Sequence, residues 1–237
     1  MRTADDQIVD HYFEHGFAIL PEWLDDDEIS TLAEVCDTLL SEPPDDSLGG
    51  QAHDIGRGHD RRFLRHRHRD FSDLASFILG SEMKEFLLPF IGKTPHLFNE
   101  QFVVKGPKTG SAFGWHQDGG YVGFEHKPYV SVWIAIDETT EDNGPVFVLP
   151  RNLRRDTAIV PHHWDSKAKE MVGYDGPEPG IGAVVPKGSI VLFSSVTLHR
   201  SSRNTTDRSR RAYLAQYSGE ALIDPETNLP KRFATAL

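Results

Sequence analysis

The spacing of apolar residues changes character near residue 96. Before that point they recur every three or four positions, which lines them along one side of a helix. Beyond it they alternate with polar or small residues, which puts them on one face of a strand. Residues 4–15 read as a short amphipathic helix with Ile8, Val9, Tyr12 and Phe13 on one side and Gly16 placed to end it. Phe17 to Pro21 reads as a short strand. Asp25 to Glu28 sets negative charge where a helix dipole favours it, and Ile29, Leu32, Ala33, Cys36, Leu39 and Leu40 follow at helical spacing until Pro43-Pro44. Residues 43–62 carry prolines, glycines and mixed charge without a period, so a long loop is expected. Arg61 to Asp70 is a dense basic run, and residues 71–91 return to helical spacing through Phe71, Leu74, Phe77, Ile78, Phe86 and Leu87.

Leu97 to Lys105 is rich in β-prone residues and stops at Gly106-Pro107. Val130, Val132, Ile134 and Ile136 then alternate with Ser131, Trp133, Ala135 and Asp137, a strong strand signal. Further short strands are expected over residues 145–150, 189–193 and 212–217. Short strands separated by turn signals predict an antiparallel barrel or jelly roll. The expectation is a mainly β fold with flanking helices, one domain over residues 1–237. Its helical flank would cover 1–92 and its β-core 93–220.

Composition narrows the partners. The 237-residue chain can bury a large core without disulfides, and its one cysteine, Cys36, reads as a buried inert thiol. A formal net charge of −11 argues against a nucleic-acid surface. There is no run of 18 apolar residues and no basic-then-apolar leader, so a cytoplasmic protein with no membrane partner is expected, as a monomer or homodimer.

The chemistry centres on Phe113 to Tyr121. His116 and Asp118 stand two apart, so on a strand both project from one face. A second histidine would complete the 2-His-1-carboxylate triad that suits Fe(II) and leaves positions open for substrates and O2. His199, after the 189–193 strand, is the candidate. The spacing alone is weak, because His68 and Asp70 repeat it; that pair lies among arginines at the start of a helical pattern and reads as a decoy. A triad of this kind points to an oxygenase, which needs a two-electron donor such as 2-oxoglutarate. The donor's far carboxylate needs a cation in a fixed fork, and Arg210 and Arg211 stand where the last strand begins. They point to opposite faces, and periodicity does not choose between them.

These residues, with Pro128 to Asp137, Glu141 to Pro145, Pro186 to Ser189 and Asn204 to Ala212, resemble the phytanoyl-CoA dioxygenase family over residues 10–218. The resemblance implies a double-stranded β-helix (a cupin-like jelly roll) binding Fe(II) and 2-oxoglutarate, with the metal on His116, Asp118 and His199. It maps the 2-oxoglutarate arginine to Arg210, and matches Gln101, Trp133, Ser201 and Gln117 to positions near the co-substrate. The activity it implies is hydroxylation of an unactivated C–H bond of a small molecule, with release of succinate and CO2. The retained carboxylate of Asp118 favours hydroxylation over halogenation. A departure is Pro150-Arg151-Asn152-Leu153, where relatives often carry a histidine. The rival readings are a jelly-roll isomerase or hydrolase on Zn or Mn, and a non-catalytic binding protein. Arg57, Arg61, Arg62, Arg65 and Arg67 could draw an anionic substrate to the mouth or form a solvated basic face. Phe113, Trp115, Tyr121 and Phe124 could wall the pocket or fill the core. Residues 173–182 read as a glycine-rich lid.

Overall fold

The computed structural model describes residues 2–42, 61–108 and 110–237. Helix α1 (Asp6–His15) is capped by Asp5, whose carboxylate accepts from the Ile8 amide, and ends at Gly16 with φ +80. The strand β1 (Phe17–Leu20) leads to α2 (Asp26–Ser41), where Asp25 and Glu28 form a reciprocal capping box. These are the elements the charge and apolar spacing predict. Residues 71–91 form two helices, α3 (Ser72–Leu79) and α4 (Ser81–Ile91). The break falls at Gly80, where a side chain would meet the Ser76 carbonyl at 2.4 Å.

The expected 43–62 loop is corrected at its end. Residues 43–60 and Arg57 lie outside the described residues, but Arg61 and Arg62 open a strand, β2 (Arg61–Arg65), paired antiparallel with β3 (His96–Lys105). Three arginines in five residues carry no strand signal of their own. The unpaired edge of β3 supplies the backbone partners, and tertiary pairing overrides local preference.

The remaining strands are β4 (Phe113–His116), β5 (Val130–Ala135), β6 (Val146–Val148), β7 (His163–Asp165), β8 (Glu170–Val172), β9 (Ile181–Gly182), β10 (Ile190–Ser194), β11 (His199–Ser201), β12 (Arg210–Ser218) and β13 (Thr235–Ala236). A major sheet runs β1-β10-β5-β12-β3-β13, with β2 also on β3; a minor sheet runs β4-β11-β6-β9; β7 and β8 form a hairpin. All described pairings are antiparallel. Two facing sheets of this kind make a jelly roll.

Strand alternation sorts the side chains. Val130, Val132 and Ile134 of β5, with Tyr213 and Ala215 of β12, pack outward on Leu32, Ile78 and Phe86 of the helices. Trp133 and Ala135, with Ala212 and Leu214, pack inward on Val146 and Val148 of the minor sheet. Burying each large apolar side chain contributes about 1.5–3 kcal/mol. The helices thus shield one face of the major sheet, and the other face is left to build a site. β1, β2 and β13 join the major sheet from outside residues 93–220.

Candidate metal centre and co-substrate site

β4 ends at His116. Gln117 keeps the chain extended (φ −109, ψ 132), and Asp118 then opens a 3-10 turn over Asp118–Tyr121. One extended residue is enough to put His116 and Asp118 on the same side, although the motif is not strand throughout. Antiparallel pairing of β11 with β4 sets His199 directly opposite His116, with ring centroids 4.1 Å apart. Asp118 Oδ1 lies 3.7 Å from His116 Nε2 and 3.6 Å from His199 Nε2. A ligand atom from each of the three lies within 4.8 Å of the others, and among the described residues this is the one group of three His, Cys, Asp or Glu so arranged.

The donors are prepared for a cation. His116 Nδ1 donates to the Gly114 carbonyl at 2.8 Å and His199 Nδ1 to the Thr197 carbonyl at 3.1 Å. A carbonyl accepts only, so both protons sit on Nδ1 and both Nε2 lone pairs face Asp118. Burial, reinforced by His199, holds the His116 pKa well below its ordinary value, keeping the ring neutral as a metal ligand must be. Asp118 presents Oδ1 to the histidines while its Oδ2 accepts from Ser131 Oγ at 2.5 Å and Gln216 Nε2 at 2.8 Å. Gln216 Oε1 accepts from Asn99 Nδ2 at 2.7 Å, and Asn99 Oδ1 meets His66 Nε2 at 3.2 Å. The carboxylate is therefore oriented by a buried polar chain crossing three strands of the major sheet.

Arg210, at the head of β12, is 1 % exposed and lies over Trp133, its guanidinium carbon 5.4 Å from the ring centre. Nη2 donates to the Gly144 carbonyl at 3.0 Å, whereas Nε and Nη1 are buried with no partner. Burial pulls its pKa down to about 10. Each unmet buried donor costs about 1–3 kcal/mol, so these two donors fit an acceptor such as a carboxylate. Arg211 faces the other way and is spent on Asp137 and Asp37, each at 2.7 Å.

A family model for phytanoyl-CoA dioxygenase (PhyH) matches residues 12–212. The chain belongs to the phytanoyl-CoA dioxygenase family. The resemblance read from the motifs is borne out. Among curated relatives, the phytanoyl-CoA dioxygenase domain-containing protein 1 homolog of Caenorhabditis briggsae is 28% identical over 130 residues, 50% of this chain and 45% of that protein. A probable alpha-ketoglutarate-dependent hypophosphite dioxygenase of Stutzerimonas stutzeri is 26% identical over 170 residues, 66% of this chain and 57% of that protein. The chain spans about half the length of these curated relatives. Among solved structures, EvdO2 of Micromonospora carbonacea var. aurantiaca superimposes with a TM-score of 0.75 at 22% identity, covering 91% of each chain. That protein is also known complexed with 2-oxoglutarate. The likeness supports the jelly-roll fold expected from the strand pattern.

Other expected site residues of this family member fall in different places. Gln101 is buried, its Oε1 accepting from Arg65 Nε at 3.0 Å. Ser201 is half-buried on β11. Gln117, expected near the co-substrate, is engaged by the protein itself. Its amide donates to the Ala158 carbonyl at 3.1 Å and the Val196 carbonyl at 2.5 Å, and accepts from the Val160 amide at 2.7 Å. As the odd residue between two ligands it points away from them, and it fastens the 158–160 segment to the site. The His68 and Asp70 double is structural too: His68 Nδ1 meets buried Glu100 at 3.0 Å, on the helix-facing side, and Glu100 also accepts from Tyr213 Oη. Cys36 is buried, and burial pushes its thiol up to about 12.

Phe113 and Tyr121 flank His116, with ring centroids at 4.4 and 5.7 Å, so they wall the site. Trp115 packs instead against Arg200 and Tyr174, and Phe124 joins a separate cluster with Phe98 and Tyr129. The 173–182 lid is fastened: Tyr174 bridges to Trp115, Arg200 donates to the Pro179 carbonyl, and β9 pairs with β6.

Sequence reasoning missed several buried polar groups. Glu170 accepts from the Gly114 amide at 2.7 Å and pairs with Arg61 at 3.3 Å, so a buried ion pair braces the strand carrying His116. Breaking such a pair costs about 3–5 kcal/mol. Lys105, beside Arg210, is 1 % exposed, and its Nζ donates to the carbonyls of Ser111 and Ser202. Burial, with the charges of Arg210 and Arg61, lowers its pKa to about 6. A usable signal existed for Ser131, Gln216, Asn99 and Lys105. Each is a polar residue on the inward phase of a strand whose other phase is mostly apolar, with Glu100 and Arg211 among the exceptions.

Proposed function

We propose that the chain is an Fe(II)- and 2-oxoglutarate-dependent dioxygenase that hydroxylates an unactivated C–H bond of a small-molecule substrate. His116, Asp118 and His199 would hold the metal. Arg210, stacked on Trp133, would hold the far carboxylate of 2-oxoglutarate, with the Lys105 amine beside it held by the Ser111 and Ser202 carbonyls. The observation that carries the reading is the coexistence of a converging triad with a buried guanidinium whose Nε and Nη1 lack acceptors. A hydrolase or isomerase working on Zn or Mn without 2-oxoglutarate would have no use for that guanidinium. Relatives named as dioxygenases support the same reading.

Fe(II) and 2-oxoglutarate, when bound with O2, supply the oxidising chemistry, with succinate and CO2 as the co-products. The protein's own residues do the rest. Ser131 and Gln216 keep Asp118 turned towards the metal position, the Gly114 and Thr197 carbonyls keep both imidazoles in the right tautomer, and Phe113 and Tyr121 limit water beside His116. The test is 2-oxoglutarate turnover by the iron-loaded protein with a panel of small acids, amines and alcohols. Succinate should form in step with a product heavier by one oxygen atom, and a chelator should stop both. A product lighter by two hydrogens would replace hydroxylation with desaturation, and iron-loaded protein that fails to bind 2-oxoglutarate would refute the reading.

The polar chain behind Asp118 makes a further prediction. Gln216→Leu removes one of two donors to Oδ2 and is expected to weaken Fe(II) affinity about 10–100-fold while leaving the circular dichroism spectrum intact. Affinity unchanged from the parent would mean that Ser131 alone orients the carboxylate.

A further inference from the structure

Three basic side chains stand in one row on the inner face of the major sheet. Arg61 of β2 and Arg210 of β12 each lie directly opposite Lys105 of β3, and cross-strand partners share a face. All three reach carbonyls at the strand ends of the minor sheet. Arg61 donates to Ala112 at 3.0 Å and Arg210 to Gly144 at 3.0 Å. Lys105, between them, donates to Ser111 at 2.9 Å and to Ser202. Gly144 borders Lys105 as well, since a Cβ there would stand 2.8 Å from Lys105 Cδ. The charged groups facing Lys105 are Arg61, Arg210 and Glu170 of β8, and Glu170 meets Arg61 at 3.3 Å rather than Lys105. The segments carrying Ser111, Ser202 and Gly144 present carbonyls only.

The donor count at Lys105 Nζ matches a neutral amine. An amine has two N–H bonds, and two carbonyls receive them. An ammonium has three, and among the described residues nothing accepts the third. A charge there would also sit 1 % exposed between two guanidinium groups. Burial, then Arg210 and Arg61, outweigh Glu170 and bring the pKa to about 6. The row thus holds a charge in reserve beside the two unmatched donors of Arg210.

We infer that Lys105 is a proton-accepting member of the co-substrate site: the far carboxylate of 2-oxoglutarate, docking on Arg210, draws one proton from solvent onto Lys105 Nζ and is then held beside two cations. The inference rests on the reading of Arg210 as the anchor of that carboxylate. A nearby anion favours the ammonium and raises its pKa, so binding takes up a proton above about pH 6. Affinity should therefore fall as pH rises from there, by up to about tenfold per pH unit, and level off above the pKa of the bound state.

Calorimetry of the Fe(II)-loaded chain under nitrogen, in Pipes and in Tris at about pH 7.5, counts the protons taken up. The probes are 2-oxoglutarate and 2-oxobutyrate, which carries the same metal-chelating end without the far carboxylate. 2-Oxoglutarate should take up more than about half a proton beyond 2-oxobutyrate. Lys105→Met should erase that difference and flatten the pH profile of the 2-oxoglutarate Kd. Lys105→Arg, charged at every pH used, should do the same and serves if the methionine variant does not fold. Equal uptake with the two probes, or an excess that survives both substitutions, would overturn the role of Lys105 and leave the oxygenase reading standing. Iron-loaded parent protein that binds 2-oxobutyrate but not 2-oxoglutarate, or neither, would overturn both.

Discussion

Alanine at His116, Asp118 or His199 is expected to reduce Fe(II) affinity by more than about 100-fold and to bring substrate-linked succinate formation to background. Each change removes one of three donors whose atoms converge within 4.8 Å, and two donors no longer define a site. The variants separate in stability. Asp118→Ala leaves Ser131 Oγ and Gln216 Nε2 without their shared acceptor, at about 1–3 kcal/mol in the metal-free protein. His116→Ala and His199→Ala each strand one backbone carbonyl. The control is His68→Ala, in the motif that repeats the spacing. It should leave Fe(II) affinity untouched and lower stability, because Glu100 loses a buried partner. Metal titration together with thermal unfolding of the metal-free proteins reads both effects. Normal iron binding by any triad variant would refute the assignment.

The contrast between the two His-x-Asp motifs shows what the residues alone could tell. Strand periodicity placed one motif in the β-core and the other in a helical, basic stretch, and that was enough to separate them. The inward phase of β12 was legible as Arg210, Ala212, Leu214 and Gln216, but periodicity could not say which phase faces the minor sheet. That choice depends on which face the helices cover, a tertiary fact fixed by packing against Leu32, Ile78 and Phe86. Glu170 and Arg61 were illegible for a related reason. They lie 109 positions apart and meet only because β8 and β2 both border β4.

The largest separation between stability and function is expected at Arg210. In the free protein its guanidinium is buried with one acceptor, the Gly144 carbonyl, and two stranded donors. Arg210→Leu removes those unmet donors and a desolvated charge while keeping an apolar contact with Trp133. Thermal stability without co-substrate should therefore be unchanged or higher, against the usual direction for a truncated core residue. The gain is at the expense of binding. A carboxylate meeting both stranded donors would make two charge-assisted bonds, each about 1.5–3 kcal/mol, so 2-oxoglutarate affinity should fall about 100-fold or more. In the parent, co-substrate at 100 times its Kd should add about 2.7 kcal/mol of stability, and Arg210→Leu should lose that increment. Arg210→Lys is the discriminating variant. It keeps a positive charge but cannot present Nε and Nη1 as a fork. It should bind 2-oxoglutarate nearly as poorly as leucine does, and a lysine variant with parental affinity would show that charge, not the fork, holds the carboxylate.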